Sequence, residues 1–189
     1  MTPRTTPRLT VVSGPTAVGK GTVVARLRAE HPELFVSVSA TTRPARPEEI
    51  DGVHYHFVAN EAFDELIATG ALLEWATVHG THRYGTPRQP VLDALAGGRN
   101  AVLEIDLAGA RQVRRQQPDA RLVFLAPPSW DELVRRLIGR GTETEAERDR
   151  RLETARAELE AQREFDDVVV NRTVEQAVSD LANLIYGGV

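Results

Sequence analysis

Leu9-Thr10-Val11-Val12-Ser13-Gly14-Pro15-Thr16-Ala17-Val18-Gly19-Lys20-Gly21-Thr22 sets a short β-branched run directly before a loop with the spacing G-x-x-x-x-G-K. Apolar residues at helical spacing follow, with Val23, Val24 and Leu27 on one side. Strand, glycine loop and helix are the order a phosphate-binding loop requires, because loop N–H groups and the positive end of the helix together make an anion site. Gly14, Pro15, Thr16, Ala17, Val18, Gly19, Lys20, Gly21 and Thr22 are therefore the candidate polyphosphate cradle. Lys20 is the single lysine, all other members of the 23 Lys+Arg set being arginine. An ammonium on a flexible stem reaches a polyphosphate as a point charge, whereas a planar guanidinium demands more room and another approach. Gly21 stands where the strict pattern has Ser or Thr, and the hydroxyl comes one place later at Thr22. A Mg²⁺ ion held largely by nucleotide and water is expected, with Thr22 as a candidate ligand.

The chain has 189 residues, of which 41% are hydrophobic, enough for one α/β core with small insertions and too little for two ordinary domains. A net charge of −4 speaks against nucleic acid or an anionic membrane surface as the main partner. With no cysteine, disulfides and thiolate metal sites are excluded. No apolar stretch approaches about 18 residues, and the first residues, MTPRTTPR, have no apolar core. A cytoplasmic protein is expected; oligomeric state is not legible.

Strand candidates at 9–13, 35–40, 101–105, 121–125 and 167–170 alternate with spans long enough for helical crossovers, which predicts a five-stranded parallel sheet. Ser129 with Glu132 and Thr173 with Gln176 fit the S/T-x-x-E/Q capping box. Two stretches break the alternation. Between 41 and 90 lie shorter, partly polar pieces: a strand at 55–58, a helix at 60–69 and a strand at 72–78, punctuated by Arg43-Pro44 and Arg46-Pro47. From 139 to 163 the chain is dense in charge and opens on Gly139-Arg140-Gly141, a hinge-like sequence. The expected organisation is a core of 9–40, 91–138 and 164–189, an inserted subdomain at 41–90 and a small helical lid at 139–163.

The run Ser39-Ala40-Thr41-Thr42-Arg43-Pro44-Ala45-Arg46-Pro47-Glu48-Glu49-Ile50-Asp51-Gly52-Val53-His54-Tyr55-His56-Phe57 resembles the S-x-T-T-R-x-x-R-x-x-E-x-x-G-x-x-Y-x-F pattern of guanylate kinases. Leu73-Glu74-Trp75-Ala76, Tyr84-Gly85-Thr86, the segment from Glu104 to Gly109, Ala126-Pro127-Pro128-Ser129, residues 136–144 and Val170-Asn171 resemble the same family in the same order. The resemblance implies a phosphate-loop kinase fold and the reaction ATP + GMP to ADP + GDP, dependent on Mg²⁺. It implies that Arg43, Arg46, Tyr55 and Tyr84 grip the GMP phosphate, that Glu49 orients the arginines, and that Ser39, Glu74 and Thr86 read guanine with Glu104 and Asp106 nearby. Arg136, Arg140 and Arg151 would close over the triphosphate, and Asn171 would join the ATP side. Lys20, Arg43, Arg140 and Arg151 become the catalytic candidates. Asp106 is a candidate for the metal's water shell, since a carboxylate just after an apolar parallel strand faces the loop.

Other readings attach to single features. Asp106-Leu107-Ala108-Gly109 also fits the D-x-x-G element of GTPases, yet their N-K-x-D base reader needs a lysine, and the one lysine is in the loop. A non-catalytic guanylate-kinase-like scaffold typically lacks the phosphate loop, which this chain keeps. His54 and His56 have no third ligand near in sequence. Trp75 and Trp130 read as packing residues, and Arg148, Arg150, Arg156 and Arg163 as surface charges.

Overall fold

The computed structural model describes residues 6–78, 81–138 and 145–187. Its elements in chain order are β1 (Leu9–Ser13), α1 (Lys20–Glu30), β2 (Phe35–Val36), β3 (Ala40–Thr41), β4 (His56–Phe57), α2 (Asn60–Ala68), β5 (Leu72–Val78), β6 (His82–Pro87), α3 (Arg88–Ala96), β7 (Ala101–Glu104), α4 (Leu107–Gln116), β8 (Arg121–Ala126), α5 (Trp130–Ile138), α6 (Glu145–Glu160), a 3-10 turn (Ala161–Glu164), β9 (Asp167–Val170) and α7 (Val174–Tyr186).

β1 is buried along its length, so it needs a hydrogen-bonding partner on each edge and side chains above and below. It pairs in parallel with β7 on one edge and β8 on the other, within a five-stranded sheet of order β2-β7-β1-β8-β9. Alternation along the strand splits the core between the two faces. Val12, Val102, Val123 and Leu125 pack beneath Val23, Val24 and Leu27 of α1 and Val178 and Leu181 of α7. Val11, Leu103 and Leu122 pack on the opposite face against Ala110 and Val113 of α4. The order reverses direction at β1, so the crevice beyond its carboxyl end is a topological switch point.

The expected strand at 35–40 is a correction. Phe35 and Val36 pair with Ala101 and Val102 of β7, after which the chain leaves the core sheet. Ala40 and Thr41 belong to a second sheet of order β4-β3-β6-β5, paired with Gly85 and Tyr84 on one side and His56 and Phe57 on the other. One continuous alternating pattern serves two sheets, and periodicity cannot mark where a strand changes partner. Ser39 lies at this crossing. The small second sheet closes its own core around Phe63, Ala40 and Leu72.

Both capping serine and threonine hydroxyls accept as expected, Ser129 Oγ from Glu132 N and Thr173 Oγ1 from Gln176 N, each at 3.2 Å. The Glu132 carboxylate accepts from Arg136 Nε at 2.9 Å. α5 and α6 join through Leu133, Leu137 and Ala155, with Ala17 of the glycine loop packed against them. Trp130 packs there and carries the Arg156 guanidinium 5.0 Å from its ring centroid, whereas Trp75, expected as a packing residue, stands exposed. The hinge sequence at 139–141 lies outside the described residues.

Gly14 turns the chain out of β1 with φ of 151°, and a Cβ there would stand 2.2 Å from the Leu125 carbonyl oxygen. Gly14→Ala is expected to cost about 1–3 kcal/mol in urea unfolding, because β1 and β8 cannot separate without breaking the ladder. An unchanged unfolding midpoint would show that the loop has room to spare.

Candidate active site

The glycine loop is held open from behind. Val18 turns its carbonyl outward, where it accepts from Asn171 Nδ2 at 2.8 Å and from Arg136 Nη1 at 3.1 Å. Asn171 is only 4% exposed and arrives at the end of β9, which explains how a residue so distant in sequence reaches the loop. Gly19 makes the close approach possible: φ is 95°, and a Cβ would lie 2.9 Å from that amide nitrogen. Ala17 also takes a left-handed conformation, φ 65°, the sole non-glycine to do so among the described residues. The loop ends at the start of α1, the positive end of that helix. Lys20 folds back on the same loop, its Nζ donating to Gly14 O at 2.6 Å and Pro15 O at 3.2 Å.

Around this cradle the sequence places carboxylates. Burial pulls the Lys20 ammonium down from its usual range, and Glu158, Glu104 and Asp106 oppose that by favouring its charge. Burial likewise pushes the Glu104 carboxyl up, with Lys20 pulling it back. Glu104 ends β7, and Asp106 begins α4, where its Oδ1 accepts from Gly109 N at 2.7 Å as an N-cap. Glu158 of α6 also reaches the loop: its Oε2 accepts from Thr16 N at 3.0 Å. No local pattern could have announced that contact, since the partners stand 142 positions apart in the chain.

A cleft of about 230 Å³ runs from Lys20 past Glu104, Ile105 and Asp106 to Ser39, Tyr55, Glu74, Ala76, Val78 and Tyr84. Glu74 is 5% exposed, and its Oε1 accepts from Thr86 Oγ1 at 2.7 Å across the β5–β6 pair. Burial raises its carboxyl to about 7, Asp106 adding to the rise and the Thr86 hydrogen bond opposing it. Its other oxygen lies where a side chain at position 109 would stand.

At the far end Arg43 and Glu49 form a two-pronged pair, Nη2 to Oε1 at 2.8 Å and Nη1 to Oε2 at 2.9 Å. Arg43 and Arg46 hold the Glu49 carboxyl down at about 2, Arg46 chiefly through its backbone N–H at 2.8 Å. Arg43 Nε donates to Tyr84 Oη at 3.1 Å, so the Tyr84 hydroxyl keeps its own hydrogen to donate elsewhere. The Tyr55 ring lies under the same guanidinium at 5.4 Å and against Tyr84 at 5.8 Å. Arg46 is exposed beside the cluster. Arg83 is no part of it: its guanidinium bonds Asp64 and Asn60 and covers Phe63, tying β6 to α2.

Thr22 and Gly21 are exposed on the first turn of α1. Arg151 lies on α6, half-buried; Arg140 falls outside the described residues. Among the described residues no group of three or more His, Cys, Asp or Glu could hold a metal by itself, His54 and His56 included; His54 Nδ1 accepts from Ile50 N at 3.0 Å. No helix among them is long and apolar enough to cross a membrane.

The guanylate kinase family model matches residues 6–187. A guanylate kinase of Leifsonia xyli subsp. xyli is 62% identical over 94% of this chain and 70% of its own length. That of Streptomyces coelicolor is 60% identical over 96% of this chain and 92% of its own. Among solved structures, guanylate kinase from Anaplasma phagocytophilum superposes with a TM-score of 0.78 at 31% identity, covering 96% of this chain and 86% of that one. A strand, glycine loop and helix with the loop lysine and a buried carboxylate in one cleft, and a match to the family model along nearly the whole chain, place this protein in the guanylate kinase family.

Proposed function

We propose that the cleft between Lys20 and Arg43 performs the family reaction through the residues that line it. As a guanylate kinase the chain uses ATP to phosphorylate GMP, giving ADP and GDP. The observation that carries the residue-level reading is the single cleft shared by the loop lysine and a buried, hydrogen-bonded carboxylate. An ionised Glu74 accepts from both N1–H and the 2-amino group of guanine, whereas adenine offers an acceptor at N1 and no 2-amino group. Ser39 and Thr86 flank it. At the other end of the acceptor, Arg43, Arg46, Tyr55 and Tyr84 supply donors to a dianionic phosphate, and Glu49 holds Arg43 in place.

In the transfer an oxygen of the GMP phosphate forms a bond to the γ-phosphorus as the bond to the β,γ-bridging oxygen breaks and its electrons leave with ADP. The chain's part is alignment and positive charge around the equatorial oxygens, from Lys20 and the loop N–H groups, with Arg136, Arg140 and Arg151 on the lid side. Kinases that use ATP need a divalent metal. Oxygen donors on Thr22 and Asp106, with no protein cage among the described residues, suit Mg²⁺ delivered by the triphosphate and largely hydrated, where it would neutralise charge on the donor phosphates. Asn171 acts through the Val18 carbonyl. Segments 9–40, 91–138 and 164–189 serve as the core, 41–90 as the acceptor-binding insert and 139–163 as the lid. We assign the activity to the cytoplasm, with free nucleotides rather than nucleic acid or membrane as partners.

ADP formation from Mg-ATP should require GMP when GMP, AMP, CMP and UMP are offered in parallel, and equal turnover with AMP would remove the base-reading role of Glu74. Lys20→Arg is expected to lower kcat by about a hundredfold or more while the thermal midpoint barely moves, since charge is kept and geometry is not. Because the raised Glu74 carboxyl must be ionised to bind guanine, the KM for GMP should fall as pH rises toward about 7 and then level off. The second ionisation of the GMP phosphate, at about 6, adds its own dependence, and Glu74→Gln should leave that one alone.

A further inference from the structure

We propose that Gly109 and Gln112, one turn apart on α4, are positioning residues that set the stance of Glu74 and thereby the discrimination between GMP and inosine monophosphate. The proposal deepens the reading of Glu74 as the guanine acceptor and rests on it. Glu74 sits on β5, the edge of its sheet, and the ladder to β6 shifts register between Leu72 and Glu74. Pairing on one side, interrupted at that very point, leaves the strand underdetermined. The other side is supplied by α4. The Gln112 amide brackets the residue after Glu74, its Nε2 donating to Trp75 O at 2.7 Å and its Oε1 accepting from Trp75 N at 3.2 Å. This is the bonding a neighbouring strand would give.

Gly109 fixes the carboxylate itself. A Cβ there would stand 2.6 Å from Glu74 Oε2 and 3.1 Å from its Cδ, so the carboxylate fills the space any side chain would take. Neither party can yield at no cost: Gly109 N is held by Asp106 Oδ1 at 2.7 Å, and Glu74 Oε1 is held by Thr86 at 2.7 Å. An added methyl turns the carboxylate plane. Two parallel bonds to N1–H and the 2-amino group need that plane, whereas one bond to N1–H tolerates its rotation. Inosine monophosphate carries only the first donor, so misplacement of Glu74 penalises GMP selectively.

The test compares Gly109→Ala, Gln112→Leu and Gln112→Glu by steady-state kinetics with GMP, inosine monophosphate and ATP. For the first two, the ratio of kcat/KM for GMP over inosine monophosphate should fall about tenfold, the worth of one good hydrogen bond, with the KM for ATP and kcat at saturation little changed. Gln112→Glu keeps the acceptor for Trp75 N and should restore part of the ratio. An unchanged ratio in Gln112→Leu overturns the proposal, and that half-buried position decides the matter should Gly109→Ala fail to fold. A loss shared equally by both acceptors and ATP also overturns it, since that is general damage. Glu74→Gln run alongside separates the two levels: an unchanged ratio there sinks the guanine reading and this inference with it, while a collapsed ratio there with intact ratios in the α4 variants sinks this inference alone.

Discussion

Everything at the site depends on a glycine loop whose carbonyls are taken up by other parts of the chain. A ring of N–H groups gathers an anion only if the carbonyls between them are occupied elsewhere. Here Asn171 and Arg136 take the Val18 carbonyl from behind, and Lys20 takes those of Gly14 and Pro15. Gly14 and Gly19 allow the strand β8 and the end of β9 to come close enough to do this. The core sheet is thus the template against which the loop is shaped, and its five parallel strands order the partners from distant segments.

The electrostatic arrangement follows from that burial. Lys20 is desolvated in a region that also holds Glu104, Asp106 and Glu158, and these carboxylates favour its charge against that burial. The far end uses the opposite device. Arg43 is paired with Glu49, only 13% and 15% of the two side chains being exposed, which fixes the direction of the guanidinium. One end of the cleft holds a desolvated ammonium bonded to its own loop, and the other a guanidinium fixed by its carboxylate partner.

Much of the core was legible because its determinants are local. The run into Gly14, the loop spacing and the helix after Lys20 follow one another without interruption, and β1 and β9 span the residues that their patterns indicated. The segment 35–40 was misread for a physical reason: alternation records which faces are buried, not which sheet buries them, and Ser39 gains its place in the cleft from the switch. Trp75 was misread because the side chain next to Glu74 stands exposed while its backbone is gripped. The contacts of Glu158 with Thr16 and of Gln112 with Trp75 join elements whose proximity exists only after folding. Arg83 braces the small second sheet against α2, a contact that likewise exists only after folding.

The grip of Gln112 on Trp75 has a consequence for the chain in a crowded solution. β5 forms the rim of its sheet, and an unpaired strand rim carrying an exposed aromatic is a template on which another chain can add itself. A glutamine amide that satisfies both backbone groups at the middle of that rim closes the template with a single side chain. The residue that steadies the strand for its own molecule therefore also denies it to others, and colloidal behaviour is written into the same helix that borders the cleft.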